Sequence, residues 1–336
     1  MVLGYIARRL IWMLLVLWGV MTITFFVARV IPADPVGAIL GPQAPPEAIE
    51  RERERLGLNR PIYVQYIRYI FDLLRGDLGI SLRTRRPVLQ DIAQFFPATA
   101  ELALSAFLIG VVLGISVGVV SAVYPGRVID HASRVFAIVG LSMPAFWLGL
   151  LLLLGFYYKL GWLPGPGQLP YWMPRPPRVT GFLFVDALLA HDWSALTSYL
   201  KHLVMPAFTL GWISTASIAR ITRASMLEVL REEYIKTARM KGLKESGVVM
   251  KHAFKNALLP IITVVGIRLA SLLEGAVLTE TVFAWPGLGR YATHSFLSID
   301  FNAVVGVAIF TAFLYAFCNL AVDLLYAYLN PKIRYV

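Results

Sequence analysis

EYIKTARMKGLKESGVVMKHAFKNALLP, residues 233–260, is a charged, helix-prone stretch between two long apolar segments. Good helix formers occupy residues 232–241, and Gly242 follows them, the residue type that most readily adopts a left-handed turn after a helix. A second amphipathic helix is predicted over residues 244–257, with Pro260 starting the next apolar segment. The stretch therefore predicts two helices joined by a sharp glycine turn.

The apolar segments around this stretch define the class of protein. Of the 336 residues, 58% are hydrophobic and 15% are charged, whereas a soluble domain has about 25% charged residues. A bilayer core takes about 20 residues of α-helix, and six segments approach or exceed that length. They are residues 10–28, 102–123, 135–158, 203–219, 258–279 and 303–322. We predict an all-α integral membrane protein with six transmembrane helices.

The basic residues of the short connections predict the orientation. The amino terminus, the second connection, the fourth connection and the tail all carry Lys or Arg, and the fourth has nine such residues. All four lie on one side of a six-helix chain, which the positive-inside rule makes cytoplasmic. The predicted regions are a cytoplasmic start and first helix (1–28), an external loop (29–97), a five-helix core (98–330) containing a cytoplasmic loop (220–257), and a tail (331–336).

The external connections carry structure of two kinds. In the first, residues 45–57 read as a helix that ends at Gly57, and a second helix places Ile62, Tyr66, Tyr69 and Leu73 on one face. We expect these helices to lie on the membrane surface or to dock on a partner. The third connection, WLPGPGQLPYWMPRPP, is too rich in proline and glycine for regular structure.

Small and kinking residues mark two of the predicted spans. Gly110, Gly114 and Gly118 form one face of the second span, which allows another helix to approach closely. Pro144 lies in the middle of the third span and predicts a kink there. Both signals concern packing and shape.

Arg268 and Glu274 are charges inside the fifth apolar segment, 258–279, where charge is costly. Six residues at 100° each place them about 120° apart around a helix, so each is expected to have its own partner. Two interpretations stay open. The pair lies on a polar translocation path, or it forms a contact between subunits.

The remaining sequence signals exclude several classes of chemistry. Cys318 is the single cysteine, so no disulfide within the chain is formed. The chain has no GxxxxGK[ST], HExxH or GxSxG motif, so an ATP-driven reaction needs a partner. The net charge of +11 requires no nucleic acid, because cytoplasmic Lys and Arg meet anionic lipid headgroups at about 1 kcal/mol each.

The opening stretch resembles the cytoplasmic EAA loop of ABC importer permeases, whose pattern is an EAA-like start, a glycine and a later Leu-Pro. The matching residues here are Lys236, Thr237, Ala238, Gly242, Leu259 and Pro260. The start reads KTA, and seventeen positions separate the glycine from the leucine. Both departures resemble the dipeptide and oligopeptide branch of these permeases.

Other stretches along the whole chain resemble the first permease of that branch. They are RLGLNRPIYVQYIRYI, GDLGISLRTRRPV, SMPAFWLG, SMLEVLREEYIKTARMKGL, LTETVFAWPGLGR and DLLYAYLNPKIR. The resemblance implies a type I ABC importer permease fold, a bacterial or archaeal plasma (inner) membrane and cytoplasmic termini. It implies a transport subunit, with no enzyme activity of its own.

The same resemblance implies partners and contact residues. The partners are a second homologous permease, two cytoplasmic ATPase subunits that hold ATP and magnesium, and an external substrate-binding protein. No cofactor is expected in this chain. The residues expected to contact the ATPases are Lys236, Thr237, Ala238, Arg239, Lys241, Gly242, Leu243, Lys244, Leu259 and Pro260. Among them, Arg239, Lys241 and Lys244 would complement an acidic ATPase surface.

The substrate stays open at this point. Dipeptides or short peptides are expected, with nickel chelates, glutathione or another small solute as alternatives within the branch. A secondary transporter or channel would tolerate Arg268 and Glu274 but does not explain the glycine-turned loop. A membrane enzyme is disfavoured, because Arg268, Glu274 and Asp323 form no recognisable catalytic pair.

Overall fold

The computed structural model describes residues 2–29, 45–55 and 58–329. Within these ranges the regular structure is helical, apart from one antiparallel bridge between Ile80 and Pro87. The helices are α1 Val2–Arg29, α2 Pro46–Arg55, α3 Ile62–Leu74, α4 Val88–Val123, α5 Val128–Ser142, α6 Ala145–Leu152, α7 Leu183–Leu189, α8 Trp193–Leu230, α9 Glu233–Met240, α10 Glu245–Gly247, α11 Lys255–Val282, α12 Leu288–Leu297 and α13 Phe301–Leu329. Two wider π-helical segments, Leu153–Lys159 and Val248–Phe254, continue α6 and α10.

The described helices confirm the predicted membrane-spanning character. Five of them contain a segment that is long and apolar enough to cross a bilayer. The segments are Ile6–Val27, Val88–Val123, Trp193–Leu230, Glu245–Leu269 and Phe301–Leu324. A sixth span is reached when α5 and the extended α6 count as one broken span.

The third predicted span breaks at Pro144. Met143 and Pro144 are both extended, with ψ angles of 122° and 132°, because proline disfavours the helical conformation of the residue before it. The helices on either side are bent by 108°. The structure therefore confirms a disruption at Pro144, but it is a break between two helices and larger than the predicted kink.

The chain divides into two compact units, each described here by itself. Among the described residues, one unit consists of 97–287 with 321–329, and the other of 2–29, 45–55 and 58–96 with 288–320. We call them the α8 unit and the α1 unit. The boundaries predicted at residues 28, 97 and 330 stay a prediction.

Helix α8 is the buried centre of its unit, since 78% of its most apolar stretch is buried. The glycine face of α4 packs against it. A methyl group at Gly110 would lie 3.1 Å from Ser214 Cβ, and one at Gly114 would lie 2.8 Å from Ile218 Cβ. The predicted close helix approach is thus confirmed, and its partner is α8.

In the α1 unit, α3 packs against the first helix. Tyr66 and Thr22 hydrogen-bond through their hydroxyls at 2.8 Å, and Tyr69 and Thr24 do so at 3.0 Å. Phe25 packs against both tyrosine rings, with centroid distances of 5.2 and 5.4 Å. The tyrosine face of α3 therefore packs on α1, whereas the expectation that the helices of this connection lie on the membrane surface or dock on a partner stays a prediction.

The predictions of a helix in the first external connection and of irregular structure in the third have different outcomes. Helix α2 is present, whereas its predicted end at Gly57 lies outside the described residues. The third connection is irregular from residue 160 to 182, as predicted. Asp186 anchors its end: burial opposes ionisation, but hydrogen bonds from the Thr180 and Gly181 N–H groups and the Thr180 hydroxyl outweigh it, and its pKa lies below the ordinary value.

Candidate functional site

The segment of residues 231–257, called here the Gly242 loop, begins with the predicted helix. Helix α9 covers Glu233–Met240, within one residue of the prediction at each end. Gly242 has a φ of +74°. Its N–H donates to the Arg239 carbonyl at 2.9 Å, and the Leu243 N–H donates to the Ala238 carbonyl at 3.4 Å. This pair of bonds is a Schellman cap, which confirms the predicted left-handed glycine turn.

The second helix of the loop differs from the prediction. Helix α10 runs through the π-helical segment Val248–Phe254 into α11 without interruption. Residues 244–257 are therefore no separate helix, and Pro260 lies inside α11, where it does not start the span. Proline removes only one backbone hydrogen bond, and long membrane helices tolerate that loss when their neighbours restrain them.

A small apolar core holds the Gly242 loop together. Ile235 of α9 is fully buried, and it packs with Val248, Ala253 and Met226 of the neighbouring segments. Since Met226 belongs to the last turns of α8, this core joins both sides of the loop to the helix before it. The loop is consequently a packed body and its glycine turn is the exposed tip.

An ion pair closes the loop across the glycine turn. Arg239 donates two hydrogen bonds to the Glu245 carboxylate, from Nη2 at 2.7 Å and from Nε at 3.2 Å. The hydrogen bond to Glu245 raises the pKa of Arg239 above its ordinary value. The Arg239 charge, expected to face an ATPase, is therefore already paired within the chain.

The predicted contact residues divide by exposure. Ala238 is buried in the loop core, so it supports the loop from within. Leu259 and Pro260 are exposed on α11, about 25 Å along the helical rise from Gly242. The other predicted residues are exposed at or next to the tip: Lys236, Thr237, Arg239, Lys241, Gly242, Leu243 and Lys244.

The sequence did not lead us to predict two features of the tip, the exposed Met240 and the ion-paired Glu245. Met240 is 80% exposed, and its flexible thioether chain suits insertion into an apolar cleft of a partner. Glu245 forms the ion pair with Arg239. The spacing of an arginine and a glutamate on either side of a glycine turn is a local signal for such a pair.

Arg268 of α11 has the separate partner that its helical position predicted. Its Nη2 donates to the Ser217 hydroxyl of α8 at 2.6 Å. Glu274 lies on the same helix, but its side chain is outside the described part of the structure. The choice between a translocation path and a subunit contact is therefore not made by this contact alone.

A buried charge network near the Gly242 loop is the main feature that sequence reasoning missed. Arg223 of α8 donates to both carboxylate oxygens of Asp130, at 2.6 and 3.0 Å. Asp130 also accepts from the Ser121 hydroxyl at 2.7 Å and from the Gly126 N–H at 2.9 Å. The available signal was that Asp130 is the only acidic residue between Glu101 and Asp186.

Comparison with known families supports the resemblance seen in the sequence. The profile of the family "Binding-protein-dependent transport system inner membrane component" matches residues 110–335. The corresponding amino-terminal family, "Binding-prot-dependent transport system membrane comp, N-term", matches residues 2–103.

Individual relatives match along almost their whole length. The chain is 47% identical to a probable D,D-dipeptide transport system permease protein of Escherichia coli (strain K12), covering 98% of this chain and 97% of the relative. It is 42% identical to a di/tripeptide transport system permease protein of Pseudomonas aeruginosa (strain UCBPP-PA14), covering 99% of both. It is 37% identical to a glutathione transport system permease protein of Escherichia coli O6:H1, again over 99% of both.

These matches agree with the helical spans and with the resemblance seen along the whole sequence. The chain belongs to the family of binding-protein-dependent transport system inner membrane components, and it is a multi-pass permease subunit of an ABC transporter with the all-α type I permease fold, a transport component rather than an enzyme.

Proposed function

We propose that this permease moves dipeptides or other short peptides into the cytoplasm by alternating access, driven by partner ATPases. The names of the relatives support the substrate class, since they include D,D-dipeptide, dipeptide and di/tripeptide permeases. Glutathione is the second candidate substrate, favoured by the glutathione permease that is 37% identical.

The proposed assembly contains this chain, a second homologous permease, two cytoplasmic ATPase subunits and an external binding protein. ATP and magnesium belong to the ATPases. The basic residues of the short connections support a plasma-membrane orientation with both termini and the Gly242 loop in the cytoplasm. Anionic lipid headgroups on that side are further partners of the loop's cations.

The shape of the Gly242 loop is the observation that carries the coupling role. Force is transmitted well by a packed body whose tip is exposed, and poorly by a flexible chain. Here the tip joins α9 to a helix that continues into α11, while the core of the loop includes Met226 of α8. Movement of the tip with a closing ATPase pair would therefore move α8 and α11 together and change the side from which the bundle is open.

The exposed tip residues fit this role in different ways. Lys241 and Lys244 make no ion pair within the described part of the chain, so they are available to an acidic ATPase surface. Met240 and Leu243 supply apolar contact between them. Arg239 acts through Glu245 by holding the shape of the tip. Arg268 and Glu274 are proposed to line the path.

Replacement of Gly242 by valine tests the coupling role. A β-branched residue at a φ of +74° is strained by roughly 1 kcal/mol or more, and beyond the two adjacent residues no atom lies within 4 Å of the added Cβ. Every positive charge is kept. We expect ATP hydrolysis stimulated by peptide-loaded binding protein to fall at least fivefold in proteoliposomes that contain the whole transporter.

Gly247→Val is the matched control. Gly247 is equally open, but its φ is −70°, which valine adopts without this strain. The control should keep most of the stimulated hydrolysis. Wild-type stimulation in both variants would refute the coupling role of the glycine turn. An equal loss in both would show that the loss comes from the valine side chain and not from the strained φ at Gly242, which would also contradict that role.

A further inference from the structure

The stretch between α3 and α4, in the α1 unit, contains a tight cationic turn. Ile80 and Pro87 form the single antiparallel bridge of the described ranges, and the sequence between them is SLRTRR. The turn thus carries three arginines and no acidic residue. We call residues 80–87 the arginine tip.

Two fully buried aspartates of the same unit hold the arginine tip in one shape. Asp300 accepts a hydrogen bond from the Ser81 hydroxyl at 2.6 Å and another from the Arg83 backbone N–H at 3.2 Å. Asp91 accepts one from the Thr84 hydroxyl at 2.5 Å. Hydrogen bonds to a buried carboxylate are charge-assisted and strong, so the tip is a rigid element.

The three arginines of the tip differ in what balances their charge. Arg86 forms an ion pair with Asp91 at 2.6 Å, so its charge is compensated within the chain. The side chains of Arg83 and Arg85 are exposed, and neither forms an ion pair with any residue of the described ranges. The tip therefore presents two guanidinium groups that are available to another molecule.

Arg85 has a backbone conformation that disfavours arginine. Its φ is +57°, in the left-handed region where a β-carbon is strained and glycine is not. The Arg85 N–H donates to the Ser81 carbonyl, and the Ser81 N–H donates to the Arg86 carbonyl, each at 2.9 Å. These backbone bonds would form equally well with glycine at this position. The turn does not need the arginine side chain, and strained residues in a rigid setting cluster at functional sites.

The fixed shape of the tip favours a protein partner over a lipid headgroup. A mobile lipid phosphate needs the arginine charge but gains nothing from a rigid, strained turn. An acidic protein surface gains from both, because the guanidinium fork pairs with a carboxylate through two parallel hydrogen bonds. A tip that is already held also loses little conformational freedom on binding.

We propose that Arg83 and Arg85 dock on an acidic surface of the external binding protein. The inference rests on the proposed function, because it requires the proposed orientation, with residues 29–97 outside, and the proposed binding protein. Charges at the edge of an interface mainly speed association and select the partner. The tip would accordingly guide the loaded binding protein onto the transporter, and the steps after docking would not depend on it.

The test is a titration of the whole transporter, held in phosphatidylcholine nanodiscs, with dialanine-loaded binding protein. The binding-protein concentration that gives half-maximal ATP hydrolysis reports docking, and the maximal rate reports the later steps. Arg85→Gly is the central variant, because glycine adopts a φ of +57° without strain, so the tip keeps its shape and loses one charge. We expect its half-maximal concentration to rise about fivefold at an unchanged maximal rate.

Arg83→Gln should have a similar effect, and the double variant should raise the half-maximal concentration by about tenfold or more. High ionic strength should bring the wild type and the variants together, because it screens exposed charges. Arg60→Gln is the matched control. Arg60 is an exposed arginine of the same connection, but α3 separates it from the tip by about 20 Å of helix, so it should dock like the wild type.

Several outcomes would overturn the proposal. Wild-type docking by Arg85→Gly and Arg83→Gln would show that the two charges do not meet the binding protein. An equal loss in Arg60→Gln would show that any external charge has this effect. A loss that appears only when the nanodiscs contain phosphatidylglycerol would assign the arginines to lipid phosphate. A wild-type transporter whose hydrolysis does not respond to loaded binding protein would instead refute the proposed assembly, and this inference with it.

Discussion

Two ion pairs near the Gly242 loop have nearly the same geometry and very different surroundings. Arg223 contacts Asp130 at 2.6 and 3.0 Å, and Arg239 contacts Glu245 at 2.7 and 3.2 Å. The side chains of the first pair are 25% and 1% exposed, whereas those of the second are 43% and 54% exposed. The difference shows that distance alone does not reveal what an ion pair contributes.

The buried pair connects three parts of the α8 unit. Asp130 lies in the first turn of α5, Ser121 near the end of α4, and Arg223 one turn before Met226 on α8. Arg134 adds a second, longer contact to Asp130 at 3.6 Å. Because Met226 belongs to the core of the Gly242 loop, this network fixes the helix ends on which the loop rests.

Asp130→Asn should have the largest effect on stability. The substitution leaves Arg223 partly buried without its counter-charge, and breaking a buried pair from one side costs about 3 kcal/mol or more. We expect a loss of that size in the free energy of unfolding of the purified permease, measured by SDS titration in mixed micelles.

Glu233→Gln is the control for that measurement. Glu233 forms an ion pair with Lys236 at 2.7 Å, and its side chain is 85% exposed. Its loss should change stability by no more than about 0.5 kcal/mol. If Asp130→Asn had as small an effect, burial would not be what distinguishes the two classes of pair.

Arg223→Lys should have an intermediate effect. Lysine keeps the positive charge beside Asp130, but it cannot donate to both carboxylate oxygens as the guanidinium does. We expect a loss of about 1 to 2 kcal/mol in the same titration, because a charge-assisted hydrogen bond is lost while the charge remains. A loss as large as that of Asp130→Asn would mean that the fork, and not the charge, provides most of the stability.

Local patterns made much of this structure predictable. The cap at Gly242 depends on residues within one turn, and the glycine face of α4 depends on a spacing of four residues. Apolar length alone located the spans. Each of these signals is contained in a short window of sequence, so no knowledge of the fold was needed.

The features that sequence did not reveal depend on distant residues or on geometry. Arg223 and Asp130 are 93 residues apart in the chain, and Arg223 was counted among nine basic residues of one connection. The local rule located the disruption at Pro144, but it does not give the bend of 108° between the helices on either side. At Pro260 a local rule gave the wrong result. Proline is common at the start of a helix, but α10 and the π-helical segment continue into α11, so Pro260 lies inside that helix.

Of the substitutions in the two compared ion pairs, Glu245→Ala should have the smallest effect on stability. Both partners of the Arg239–Glu245 pair are about half exposed, so water solvates the freed guanidinium and little is lost. We expect a loss of less than about 1 kcal/mol in the free energy of unfolding, measured by the same SDS titration.

The salt dependence of stimulated ATP hydrolysis tests the same pair in the whole transporter. Hydrolysis by Glu245→Ala and by the wild type is compared at low and high ionic strength, because an exposed pair is screened by salt. At low salt the variant should fall below the wild type, since its tip is less well held, and at high salt the two should converge. A loss of unfolding free energy equal to that of Asp130→Asn, or a difference in hydrolysis that persists undiminished in high salt, would show that this pair behaves as a buried one in spite of its exposure.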